Sequence, residues 1–478
     1  MKKIVSLILV LLMTMAILVA CGDKTDISQT DDVETRPELD LEGYEFIIVS
    51  ANDSANPIMA QQYFPIEGDT AAGDAILNRY AELNAKYNMK ITEYKTEGWF
   101  QAELLKDYAV GKKFGDFING WNETAFCNYL NGMLESFNDS EFIDLTDAKW
   151  GTQYALETLR FDGVNYLGVQ PDLWPITERG SGIYNAIIFN PDVINMFQQP
   201  NPYELVEQGI WNWQTFEKVT AAMTSPDTVP KDERYYGVST QHDDFPVCAI
   251  HANGGAMVKL VNGRYVYGYN DKEAIDALEW AQKLMYVDKV MFNSVSDWWG
   301  SMKLFSKGRS AFHVGRSFFG LTIPSSTEAD SVYPSVNLVN GYGWIPFPYG
   351  PNSSKDESNI IFDCTERFMT VPLTDDLPMV HRIMDELFEP IPEVGNWREY
   401  YRKYIFTDDQ AFNMYMTMID SASAGWLDVW NGWDGRSTAV SALGSLLTSA
   451  KKSPAAEMQK MEAKYTSLID KYLNTPVE

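Results

Sequence analysis

Cysteine, histidine and positive charge are all scarce in this chain, and each shortage excludes a class of function. The four histidines, His242, His251, His313 and His381, fall at no metal-ligand spacing and read as surface or satisfied core residues. The four cysteines, Cys21, Cys127, Cys248 and Cys364, contain no C-x-x-C pair. That argues against a zinc ribbon, a redox dithiol or a disulfide framework, and leaves any single pairing among Cys127, Cys248 and Cys364 open. Lys and Arg number 38 against 66 Asp and Glu, for a net charge of −28. No basic stripe offsets this charge, so nucleic acid is excluded as a partner and polyanionic substrates are disfavoured. G-x-S-x-G, H-E-x-x-H, P-loop and G-x-G-x-x-G patterns are all missing. The expectation is a monomer with no catalytic residue, cofactor or metal. One small exception stays open: Asp428, Asn431 and Asp434 are oxygen ligands in a glycine-containing turn, though not at EF-hand spacing.

What is present begins at the N-terminus. Lys2 and Lys3 precede an apolar stretch from Ile4 to Val19, and Leu18-Val19-Ala20-Cys21 follows. A basic start, a short apolar run and a small residue form a secretory signal pattern. The run is shorter than the ~18–20 apolar residues that span a membrane. Leu-Val-Ala-Cys resembles the lipobox of bacterial lipoproteins. The resemblance implies a signal peptide over 1–20, diacylglycerol and acyl (palmitate-type) chains on Cys21, and a protein held to the cell membrane from outside. Gly22 to Glu42 carries eight acidic and two basic residues and little apolar mass. Residues 21–43 therefore read as the lipidated cysteine and an acidic tether.

Beyond Tyr44 the pattern is α/β, and the length calls for more than one lobe. Tyr44 to Ser50 is a nearly continuous apolar run, as in a strand buried on both faces. Ile76, Tyr80, Leu83 and Tyr87 mark a helix face, and Met89 and Ile91 begin a second strand. Ile183–Phe189 predicts a strand, and Asn190-Pro191 a capped helix start. Asn270 with Glu273 predicts a capping box. Helices are also expected around Met379–Phe388 and from Ser453-Pro454 onward.

The order of these segments resembles the extracellular solute-binding proteins of ABC importers, in particular the carbohydrate-binding, maltose-binding-protein-like group. The matching stretches are Tyr44–Tyr94, Phe114-Gly115-Asp116-Phe117-Ile118 with Trp121 and Gly132-Met133-Leu134, Gly182–Asn190, Trp213–Glu217, Phe305–Phe312 and Tyr342–Pro348. No one of them is specific, and their order behind a lipobox carries the resemblance. Gly115 stands where the family pattern has proline. The resemblance implies a two-lobed periplasmic-binding-protein-like fold with a ligand cleft between lobes. Residues 44–182 and 364–415 would form lobe 1, and 183–363 and 416–478 lobe 2. It further implies a carbohydrate ligand and ABC importer permease subunits as partners.

The chain has 14 Trp, 26 Tyr and 24 Phe, and sugars pair apolar C–H faces with polar hydroxyl edges. Stretches that mix rings with planar polar groups are therefore the binding candidates. Asn52 and Asp53 leave the first strand at its carboxyl end, where open α/β sheets bind ligands. Trp121, Asn122 and Glu123 leave another strand, Tyr184 and Asn185 lie at a crossover, and Arg316 follows a strand. Trp426 and Trp430 sit in a glycine-punctuated loop. By resemblance Asn52, Asp53, Trp121, Asn122, Glu123 and Arg316 fall at or beside family binding positions. Two rivals remain open at this stage: a surface glycoside hydrolase with a carboxylate pair, and a binder of a peptide or polyamine.

Overall fold

The computed structural model describes residues 39–51, 64–68, 71–96, 101–121, 128–129, 131–158, 160–161, 165–169, 183–241, 244–294, 299–317, 320, 341–357, 360–362, 367–392, 397–406, 408–422 and 439–474. Cys21, Asn52, Asp53, Asn122, Glu123, Trp426, Trp430, Cys127, Cys364 and the Asp428–Asp434 turn lie outside the described residues.

The elements that frame the candidate site run in this order. First come β1 (Tyr44–Ala51), α1 (Ala71–Tyr87), β2 (Met89–Thr96), β3 (Phe117–Trp121), β4 (Ile183–Tyr184) and β5 (Ala186–Phe189). Next are α2 (Trp213–Ala222), β6 (Tyr236–Gln241), α3 (Asp244–Ala252), α4 (Lys272–Gln282), β7 (Met291–Ser294), α5 (Gly300–Ser306) and β8 (Ser310–Gly315). The last are β9 (Gly343–Pro346), β10 (Ile361–Phe362), β11 (Arg367–Thr370), α6 (Leu377–Leu387), α7 (Asp409–Asp420), α8 (Ala439–Leu446) and α9 (Pro454–Tyr472).

Two sheets organise them. Lobe 1 has the order β11-β3-β1-β2, with β1 parallel to both β2 and β3 and β11 antiparallel. Phe46, Ile48 and Val49 of β1 are fully buried, as a strand covered on both faces requires. Helix α1 turns Ile76, Tyr80, Leu83 and Tyr87 inward, the spacing that the sequence predicts. Gly115 explains the departure from proline: a Cβ there would collide with Val49 Cγ2. Next to it Asp116 takes hydrogen bonds from the Tyr44 hydroxyl and the Ile47 N–H, both at 2.6 Å.

Lobe 2 has the order β7-β6-β8-β5-β9. Strands β7, β6 and β8 are parallel, and β5 is antiparallel to both β8 and β9. Its core is aromatic. Trp213 and Trp280 stack at 4.1 Å and 3°, with Phe216, Phe245 and Phe347 packed around them. Helices α8 and α9 add Leu443, Leu446, Met458 and Tyr465 to the same cluster.

The described chain passes between the lobes through a short ribbon in which β4 pairs antiparallel with β10, Tyr184 opposite Ile361. The expected single strand from Ile183 to Phe189 is broken at Asn185, where φ is +66°. Asparagine is one of the few residues that takes this left-handed conformation at small cost. The expected helix start at Asn270 also shifts. Asp271 is the N-cap of α4 and makes no side-chain capping bond, so the predicted capping box does not form. Asn190 caps as predicted, and the expected helix start at Ser453-Pro454 has Ser453 as its N-cap.

The division of the late chain differs from the expected one. Strand β11 and α6 belong with lobe 1, where Phe388 meets Phe117 at 5.8 Å and Trp150 at 5.9 Å. Tyr401, Ala411 and Tyr415, expected in lobe 1, instead pack with Ile188 and Trp344 of lobe 2's sheet. The ring of Tyr415 lies 4.8 Å from that of Trp344. The chain is back on lobe 2 by Tyr401, not at residue 416, because α7 is needed to cover β9.

Candidate functional site

Parallel strands gather their carboxyl ends on one side of a sheet, and open α/β sheets bind ligands there. In lobe 2 that edge holds Ser294, Gln241 and Gly315 as the last residues of β7, β6 and β8. The chain of β5 enters at the same edge, since Ala186 pairs with Gly315. Strand β9 leaves there, with Pro346 opposite Ala186.

Arg316, predicted at this edge, is held tightly. Gly315 before it is in the β8–β5 ladder. Ser317 after it is tied twice to Ile183, through its N–H to the Ile183 carbonyl at 2.9 Å and through its Oγ from the Ile183 N–H at 3.0 Å. The Arg316 side chain is only 6% exposed. Its Nε lies 3.3 Å from Asp244 Oδ1, and its guanidinium sits 5.3 Å from the centre of the Tyr184 ring. Asp244 is the first residue of α3, itself 1% exposed. Two of the predicted residues, Tyr184 and Arg316, are thus brought together, with Asp244 as an unpredicted third.

Asn185 is adjacent but serves the framework. It is fully buried, its Nδ2 donates to the Cys248 carbonyl at 2.9 Å, and its own carbonyl accepts the Phe347 N–H at 2.7 Å. Only its Oδ1 lacks a hydrogen-bond partner. The backbone of Trp121 ends β3 opposite Arg367 of β11, at the carboxyl edge of lobe 1's sheet. Its neighbour by two, Asn119, is fully buried, and neither its Nδ2 nor its Oδ1 has a partner.

Lobe 2 shows the same feature. Gln241 is fully buried with both amide atoms unpartnered, and Asn293, one residue from the end of β7, also has both atoms unpartnered. A buried polar atom without a partner costs about 1–3 kcal/mol. Three carboxamides near the carboxyl ends of parallel strands, on both sheets, carry that cost together. Each is a neutral group that offers a donor and an acceptor. Sequence reasoning missed Asn119, Gln241, Asn293 and Asp244. For two of them there was a signal: Asn119 and Asn293 follow apolar pairs, Phe117-Ile118 and Met291-Phe292, near the ends of their strands, as Asn52 follows β1, whereas Gln241 follows Ser239-Thr240.

A cavity of ≈ 330 Å³ lies elsewhere in lobe 2, between α7 and the chain after β9, over Trp211, Phe347, Ile360 and Met418. None of the predicted residues lines it, and its polar rim is exposed charge at Lys355 and Asp356. It is not the site described above. Among the described residues, no helix is long and apolar enough to cross a membrane.

No protein-family model and no curated protein matches the sequence. Solved structures do match by fold. The GacH receptor of Streptomyces glaucescens, solved unliganded and with acarbose, is similar with a TM-score of 0.61 and 13% identity, over 90% of this chain and 99% of that one. A cyclo/maltodextrin-binding protein complexed with maltotetraose gives 0.58 and 13%, over 89% and 97%. An ABC substrate-binding protein from Listeria monocytogenes in complex with cycloalternan gives 0.57 and 15%, over 90% and 98%. With two α/β sheets joined by a crossover ribbon and matched along nearly their whole length, the chain has the two-lobed fold of the ABC-transporter solute-binding proteins.

Proposed function

We propose that this protein is a lipid-anchored extracellular solute-binding protein that captures a carbohydrate, an oligosaccharide in the first instance, and delivers it to an ABC importer. One observation carries the ligand class: Asn119, Gln241 and Asn293 are carboxamides without partners at the carboxyl ends of strands in both lobes. Hydroxyl groups satisfy such donors and acceptors at once. A peptide or polyamine would need an unmatched charge, and Asp244 at this edge is opposed by Arg316. The aromatic wealth of the chain supports the same reading, with Tyr184 and Trp121 as stacking surfaces. Asn52, Asp53, Asn122, Glu123, Trp426 and Trp430 remain proposed contacts. The similar structures solved with acarbose, maltotetraose and cycloalternan add support from fold.

The reading includes no covalent chemistry, a monomer closing around its ligand, and permease subunits as the recipients. Closure of two lobes would be a population shift driven by ligand contacts that exist only in the closed form. Cys21 supplies the anchor, so Cys21→Ala should appear in the soluble fraction or keep its signal peptide.

A thermal-shift series against mono- and oligosaccharides tests the ligand. At 100 times its dissociation constant a ligand stabilises by ~2.7 kcal/mol, a readily measured rise in Tm. If no saccharide raises Tm, the carbohydrate reading falls. Reducing ends released from an oligosaccharide would replace it with the hydrolase.

A further inference from the structure

The cavity between α7 and the chain after β9 has a chemistry of its own. It measures ≈ 330 Å³. An apolar cavity of ~150 Å³ holds benzene, so this one has room for two fused rings. Its walls are rings and thioethers: Trp211, Phe347 and Tyr349, with Met414 and Met418 from α7. Flat faces and polarisable sulfur both favour an aromatic guest. Two polar atoms in these walls are already engaged within the protein. Trp211 Nε1 donates to the Pro346 carbonyl at 2.8 Å, and the Tyr349 hydroxyl donates to the Gly209 carbonyl at 2.9 Å. A guest covered in hydroxyls would lose its water here and gain few partners, which is costly.

The mouth of the cavity is charged. Lys355, Asp356 and Glu357 line it. Lys355 is paired with Asp356, and its stem lies so close over Gly209 that a Cβ there would come within 2.5 Å of Cδ. Glu357 accepts the Ser353 hydroxyl at 2.9 Å and, among the described residues, has no cation beside it. Two carboxylates thus face one ammonium, on a chain of net charge −28. Such a mouth attracts a cationic end and repels an anionic one.

We infer that this cavity is a second ligand site, separate from the saccharide edge, and that it takes a small aromatic amine. The rings lie between Trp211 and the methionines of α7, and the ammonium sits at Glu357. The inference goes beyond the carbohydrate reading and does not depend on it.

The test uses the full chain as wild type, Thr417→Trp and Glu357→Gln, in low salt. The probes are tryptamine, indole-3-acetate and maltotriose, read by Tm shift and calorimetry. Thr417 lines the cavity from an exposed position on α7, so a large ring there obstructs the space without entering the core. Tryptamine should raise the Tm of wild type, and Thr417→Trp should lose the response. Glu357→Gln should bind tryptamine ~2- to 5-fold more weakly, the scale of an exposed ion pair, and should bind indole-3-acetate more tightly than wild type does. Glu357→Gln leaves the walls intact, so it decides the matter if Thr417→Trp does not fold. The inference is overturned if tryptamine gives wild type neither a Tm rise nor a binding heat, or if Thr417→Trp responds as wild type does. Indole-3-acetate binding to wild type as tightly as tryptamine overturns the choice of an amine. Displacement of tryptamine by maltotriose overturns the separation of the two sites.

Discussion

In lobe 1 the late helix α6 buries Val380, Ile383, Met384 and Leu387 and adds to them a network of charged groups. Glu386 takes the Tyr87 hydroxyl at 2.5 Å and Lys86 Nζ at 2.7 Å, Arg79 donates to the Glu386 carbonyl at 2.8 Å, and Lys149 pairs with Asp385 at 2.7 Å. Burial alone would lower the Lys149 pKa, but hydrogen bonds to Asp385 and Glu389 outweigh it and hold the ammonium above its usual value. In lobe 2 the corresponding work falls to rings, with Trp213, Trp280, Phe216, Phe245 and Phe347 in one stack-and-edge cluster. The two lobes thus differ in what accompanies their apolar packing, ion pairs along α6 in one and a ring cluster in the other. Ring packing resists salt and pH, whereas a network of partly exposed ions responds to both.

The comparison breaks most visibly at Trp280. Truncating a buried Trp to alanine costs ~3–5 kcal/mol, and here it also removes the ring on which Trp213 stacks. In Trp280→Ala, hydrogen exchange should accelerate across β6 and β8 while β1 and β3 keep their protection. Equal acceleration in both sheets would mean that the lobes unfold as one unit and that the contrast in their cores has no separate consequence.

A second test uses one histidine from each lobe. His313 in β8 and His381 in α6 are both 2% exposed. Burial lowers the first to about 3 and the second to about 4. Below the ordinary value near 6.5, the unfolded chain takes up protons that the folded chain refuses. Stability is therefore fully present above pH 6.5 and falls with pH, down to about 4 for His381 and about 3 for His313. The slope is about 1.4 kcal/mol per pH unit for each group. His381 stacks on Phe137 at 5.1 Å and 14°, so His381→Phe keeps a ring there. Segment-resolved exchange between pH 6.5 and 5 should show lobe 1 losing its share of the slope while lobe 2 keeps its own. An unchanged slope in lobe 1 would show that His381 is already protonated when folded.

Much of this was legible from periodicity and order. Helix α1 and strands β1 and β2 follow directly from where their apolar residues fall, because burial on one or both faces leaves a period in the sequence. The break at Asn185 left a fainter mark: one asparagine interrupts the apolar run Ile183–Phe189, and its left-handed φ divides the strand. The place where the chain rejoins lobe 2 was equally hidden, since α7 covers β9 through contacts distant in sequence. Among the proposed site residues the fold brings Tyr184 and Arg316 together, while the strand-end reading passed over Gln241, Asn293 and Asp244 beside them. A carboxamide at a strand end looks like an ordinary loop residue until the fold shows that it is buried and has no partner.

The smallest expected effect sharpens the contrast by removing one ion from lobe 1. Lys86 is half exposed and meets Glu386 at 2.7 Å, joining α1 to α6. Exposed pairs of this kind contribute ~0.2–1 kcal/mol and are screened by salt. Lys86→Met keeps the aliphatic stem and removes the charge, so it should lower lobe 1's stability by less than ~1 kcal/mol. The difference from wild type should shrink as salt rises from 0.01 to 1 M, where the screening length falls from ~30 to ~3 Å. Glu386 keeps its bond from Tyr87 in the variant, so the helix stays docked and the change reads the ion pair alone. A loss that persists at 1 M salt would assign the effect to packing of the Lys86 stem and weaken the case for lobe 1 as the half that adds ion pairs to its packing. A loss that vanishes there, with Trp280→Ala unaffected by salt, would separate the two chemistries in one pair of titrations.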